Sequence, residues 1–70
     1  MTVDSLGEAL PREMARVRDK VLPAYLEIGP AGRPAAAMMR WSIDRATKAL
    51  AEGDVMAMII ALQDLKEYQL

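Results

Sequence analysis

Apolar residues recur along this chain at helical spacing, and no stretch alternates strictly between apolar and polar. Leu10, Met14, Val17, Val21, Ala24 and Ile28 step forward by four and three residues, which places them on one face of a helix. A second stripe runs through Ala36, Met39, Ile43, Ala46 and Leu50. A third runs through Val55, Met58 or Ile59, Leu62 and Leu65. β-Branched residues are scattered, and Ala, Leu and Met dominate, all of them good helix formers. The pattern predicts an all-α domain with helices over about 5–28, 34–52 and 55–68.

Punctuation between the stripes sharpens the boundaries. Asp4 or Ser5 can cap the first helix, with Glu8 three residues beyond Ser5 as in a capping box. Pro11 fits poorly in a helix interior, so either a short turn over 4–10 precedes it or the helix begins at Leu10. Pro23 falls inside the first stripe and predicts a kink or a division there. Gly29-Pro30-Ala31-Gly32-Arg33-Pro34 ends the helix, with Gly29 placed as a left-handed cap and Pro34 as the opening residue of the next. Gly53 and Asp54 then end the second helix and cap the third. A turn this short requires the flanking helices to lie side by side, so the expected architecture is an antiparallel C-terminal helical hairpin with a kinked N-terminal helix across it.

Each helix also carries apolar residues off its stripe: Leu22, Tyr25 and Leu26, then Met38 and Trp41, then Met56 and Ile60. A three-helix monomer exposing all of them would show more contiguous apolar surface than soluble monomers usually tolerate. Length makes the same point, because a chain of 70 residues buries too little surface for comfortable stability and needs a supplement. Cys and His are both absent, which removes disulfides and the commonest metal ligands. Association remains, and a homodimer is the expected form. Trp41 reads either as the largest core plug of a Phe-free protein or as a binding anchor. The residues expected at a protein interface are Tyr25, Arg33, Met38, Arg40, Trp41, Met56 and Ile60.

Charge excludes more than it suggests. Nine basic residues face ten acidic ones, for a net of -1, without the basic excess typical of nucleic-acid binders. Locally, residues 12–48 hold eight basic and four acidic side chains, while residues 49–70 hold four acidic side chains against Lys66. A small transcription modulator contacting DNA through Arg12, Arg16, Lys20 and Arg33 is therefore a secondary reading, as is a structural or assembly component. No apolar run reaches membrane-spanning length, and the N-terminus lacks a basic start followed by an apolar block, so a cytoplasmic chain is expected. Ser5 and Ser42 lack any nucleophile context. The carboxylate pairs Asp64/Glu67 and Glu52/Asp54 sit at hydrophilic helix edges, and the glycine-rich turn lacks the lysine of a phosphate loop. The expectation is a non-enzymatic protein with no cofactor and no metal.

The order Leu10-Pro11-Arg12-Glu13, then Ile28-Gly29-Pro30-Ala31-Gly32, then Gly53-Asp54-Val55-Met56-Ala57-Met58 resembles a group of short, mostly uncharacterised helical proteins of tailed bacteriophages and prophages. The likeness spans nearly the whole chain, with Arg33-Pro34 as a local departure. It implies a gene product acting inside a bacterium, where small helical proteins often bind and inhibit host proteins. It supplies no catalytic residue.

Overall fold

The computed structural model describes residues 5–70, and among these every regular element is helical. Helix α1 covers Leu6–Arg16. A π turn over Val17–Val21 follows, then α2 over Leu22–Glu27, a 3-10 turn over Pro30–Gly32, α3 over Arg33–Glu52 and α4 over Val55–Lys66.

Helix α1 differs from both expectations for Pro11. It starts at Leu6 and carries Pro11 in its interior. The carbonyl left without a donor belongs to Gly7, which is exposed and open to water. Ser5 stands at the N-cap position, but its side chain makes no capping bond. Its backbone carbonyl instead accepts from the Glu8 and Ala9 amides. Asp4 lies outside the described residues.

The consequence of Pro23 falls one turn ahead of it. In an α-helix its ring would press on the carbonyl of Asp19, four residues back. The preceding turn widens, so that the Leu22 amide donates to the Val17 carbonyl, five residues back. A π turn inserts one extra residue, so the faces beyond it rotate. Leu22, expected among the surplus, is therefore buried with Val21, while Ile28 leaves the stripe and is exposed.

Gly29 has φ 91° and ψ −147°. Its φ is positive, as the cap demands, but its ψ departs from the left-handed helical cap expected there. Gly53 does adopt that left-handed cap, and Asp54 caps α4 by accepting the Ala57 amide at 3.1 Å. Pro34 occupies the first turn of α3, directly after Arg33.

The core joins Leu10, Val17, Val21 and Leu22 to Ala36, Met39, Ala46 and Ala49 of α3 and to Met58, Ala61 and Leu65 of α4. Small residues on α3 allow close approach, and Ser42 and Ala49 take the places expected of Ile43 and Leu50, which stand half-buried at the flank. Residues near the middle of α3 meet the end of α4 and the segment beyond it: Arg45 faces Asp64, and Ser42 bonds Tyr68. Arg16 ties α1 to that same end. Its Nη2 donates to the Leu65 carbonyl at 3.0 Å while the guanidinium also pairs with Glu13, a favourable position for a cation at a helix C-terminus.

Candidate protein-binding face

The site is built on α3. Met38 and Trp41 lie three residues apart on its outer side, and Trp41 and Arg45 lie four apart. Arg45 lays its guanidinium 4.7 Å from the centroid of the indole ring, within reach of a cation–π attraction. The same guanidinium approaches Asp64 of α4 at 3.8 Å. Both partners are substantially exposed, so this ion pair orients Arg45 and adds little stability. Beneath them the Ser42 and Tyr68 hydroxyls share a hydrogen bond of 2.9 Å. Together with Glu67 these side chains enclose an open groove of about 420 Å³ between α3 and the end of α4.

Trp41 is 58% exposed and Met38 59% exposed, so neither is a core plug. A large aromatic ring held in place by a neighbouring cation loses little freedom on binding, and Met adapts its shape to whatever it meets. The groove combines an apolar rim, two hydroxyls at its floor, one cation and two carboxylates. That composition suits recognition of a protein side chain. It offers no nucleophile paired with a base.

The other residues expected at an interface are placed differently. Tyr25 is half-buried against the core and does not line the groove, with its backbone carbonyl against Gly32. Arg33 and Arg40 are exposed on α3 but do not line the groove. Met56 and Ile60 are exposed on α4, one turn apart, also outside the groove. The structure thus brings together only Met38 and Trp41 from that set, and adds Arg45, Asp64, Glu67 and Tyr68. Sequence spacing held a signal for Arg45, four residues after the only Trp, whereas Asp64 and Glu67 looked like ordinary helix-end charges.

Of the basic residues considered for DNA contact, Arg12, Lys20 and Arg33 are exposed, whereas Arg16 donates to the Leu65 carbonyl. Elsewhere on that stretch, Arg18 pairs with Asp19 at 2.7 Å. Among the described residues no group of three acidic side chains is arranged to hold a metal, and no buried side-chain polar atom lacks a partner. Among the described residues no helix is long and apolar enough to cross a membrane. Searches of protein families, curated proteins and solved structures find no match.

Proposed function

We infer that this chain is a small phage- or prophage-encoded protein that acts in the bacterial cytoplasm by binding a host protein and modulating it. In this reading it works as a homodimer, a kinked N-terminal helix crossing an antiparallel hairpin, without catalysis of its own. The observation that carries the host-binding reading is Trp41, a residue more than half exposed beside Met38 at the groove, with Arg45 over its ring. Exposed aromatic anchors of this kind, set beside adaptable apolar side chains, are where binding energy concentrates at protein interfaces. The resemblance to phage proteins supplies the biological setting, by analogy.

Affinity capture from a bacterial lysate, with the wild-type chain and the Trp41→Ala and Met38→Ala variants side by side, tests this reading. A bacterial protein retained by the wild type and lost by Trp41→Ala, with helical content unchanged by circular dichroism, is the expected result. Retention of the same proteins by wild type and variant alike would remove the groove from the interface, and capture of no protein at all would remove the host-binding role.

A further inference from the structure

The charges that line the groove beside Trp41 do not balance. One cation, Arg45, faces two carboxylates, Asp64 and Glu67. Arg45 is already engaged, with its guanidinium over the indole ring and 3.8 Å from one Asp64 oxygen. The other Asp64 oxygen and both Glu67 oxygens have no hydrogen bond or ion pair with any described residue. Both carboxylates also stand where a helix favours the opposite charge. Asp64 lies in the last turn of α4 and Glu67 at its C-cap, at the negative end of the helix dipole. Lys66, the basic residue of that turn, does not line the groove. This end of α4 already draws guanidinium groups from two other helices. Arg16 of α1 donates to the Leu65 carbonyl, and Arg45 of α3 approaches Asp64. Glu67 is the carboxylate of the groove left without a cation among the described residues.

We propose that the groove receives a basic side chain, arginine or lysine, of the bound protein. The long apolar stem of that side chain lies along Trp41 and Met38, and its cationic head reaches Glu67 and the free Asp64 oxygen. The assignment rests on the host-binding reading of the groove and names the chemistry of its occupant. Desolvation decides among the classes of occupant. Any side chain that fills the groove strips water from the carboxylates, and a charge stripped of water without a partner is costly. An apolar side chain offers Glu67 nothing in return. An acidic one could pair only with Arg45, in competition with Asp64, and would meet Glu67 as a like charge. A basic one supplies the missing cation and leaves the Arg45–Asp64 pair in place.

Trp41 is the only tryptophan of the chain, so its fluorescence reports on the groove directly. The full chain at low ionic strength is titrated with short acetylated and amidated alanine peptides that carry one central Arg, Lys, Gln or Glu. The Arg and Lys peptides are expected to shift the emission saturably and to bind about tenfold more tightly than the Gln and Glu peptides. Glu67→Gln, a change at an exposed position that should leave helical content intact, is expected to weaken the Arg peptide by about threefold. Glu67→Lys should make the Glu peptide the tighter ligand, an exchange that a merely structural role of Glu67 would not produce. Gln or Glu peptides that bind the wild type as tightly as the Arg peptide overturn the assignment. So does an Arg peptide unaffected by Glu67→Gln, or an emission that no peptide shifts. Capture from lysate separates this assignment from the reading on which it rests. A host protein lost by Trp41→Ala but retained by Glu67→Lys overturns the basic side chain and leaves the groove as the interface. Saturable binding of the Arg peptide without any captured host protein supports the basic side chain and removes the host partner.

Discussion

Replacing Gly32 by Ala should destabilise this protein more than any other single methyl addition at its glycines, and the reason is steric. Gly32 is buried, with φ −88° and ψ −8°, values an alanine accepts. Backbone preference alone would favour alanine by about 0.4–1 kcal/mol, through the lower entropy of the unfolded chain. A Cβ at this position, however, would overlap the Tyr25 carbonyl oxygen, approach the Tyr25 carbonyl carbon to 2.9 Å and lie 3.3 Å from the Ile28 Cβ. The first two obstacles are backbone, so no rotamer change relieves them. The turn would have to retreat from α2, and this turn sets how α2 and α3 meet. Overpacking a well-filled site costs about 1–3 kcal/mol, and rigid obstacles argue for the upper part of that range. A 70-residue domain has only about 3.5–10 kcal/mol to lose. The expected loss is about 2–3 kcal/mol, which lowers the melting temperature by roughly 10–20 °C in a domain of this size. Thermal and urea denaturation followed by circular dichroism would measure it. Gly29→Ala is the control: its added methyl meets nothing within 4 Å, but φ 91° is strained for a side chain, so a loss of about 1 kcal/mol is expected. If Gly32→Ala proved as stable as wild type to within about 0.5 kcal/mol, the close approach of the turn to α2 would be wrong.

Two further outcomes follow from the same contacts. Tyr68→Phe removes the partner of the buried Ser42 hydroxyl and should cost about 0.5–1.5 kcal/mol. A double-mutant cycle with Ser42→Ala checks that the loss is shared, and additive losses would show that the hydroxyls are not coupled. The Arg18 guanidinium hydrogen-bonds Asp19 and holds its carboxyl below the usual carboxylate range. Asp19 thus contributes any stabilisation above its unfolded value and loses it as pH falls through the lower folded value, in the acid range. Because both groups are fully exposed, no unfolding step should accompany that titration. Carboxyl NMR titration should find Asp19 moved upward by Arg18→Gln, and an unchanged midpoint would show that the pair does not persist in solution.

The helical class and the turn at Gly53–Asp54 were readable in the sequence because they rest on local physics. Helical periodicity, the left-handed turn at Gly53 and the Asp54 cap each involve residues within one or two turns, and all three are present. The first helix departed from constant periodicity where one residue's constraint was answered by others. Pro23 was expected to kink or divide the first helix, and a π turn over Val17–Val21 separates α1 from α2 just ahead of it. That single inserted residue then exchanged Leu22 for Ile28 in the core. Periodicity counted at a constant 3.6 residues per turn has no means of registering such a step.

The sequence by itself thus determined that the chain is helical, where its helices turn, and that its apolar residues outnumber the places in its core. Only the tertiary structure decided which of them remain outside. Trp41 is left outside because Ala36, Met39, Ser42, Ala46 and Ala49 make up the core-facing side of α3, with Ser42 rather than the indole turned inward. Asp64, Glu67 and Tyr68 joined Trp41, Met38 and Arg45 of α3 because α4 brings its far end back beside the middle of α3, as the Arg45–Asp64 and Ser42–Tyr68 contacts show. Spacing along one helix specifies a face, but which second helix borders that face depends on how all the helices share one core.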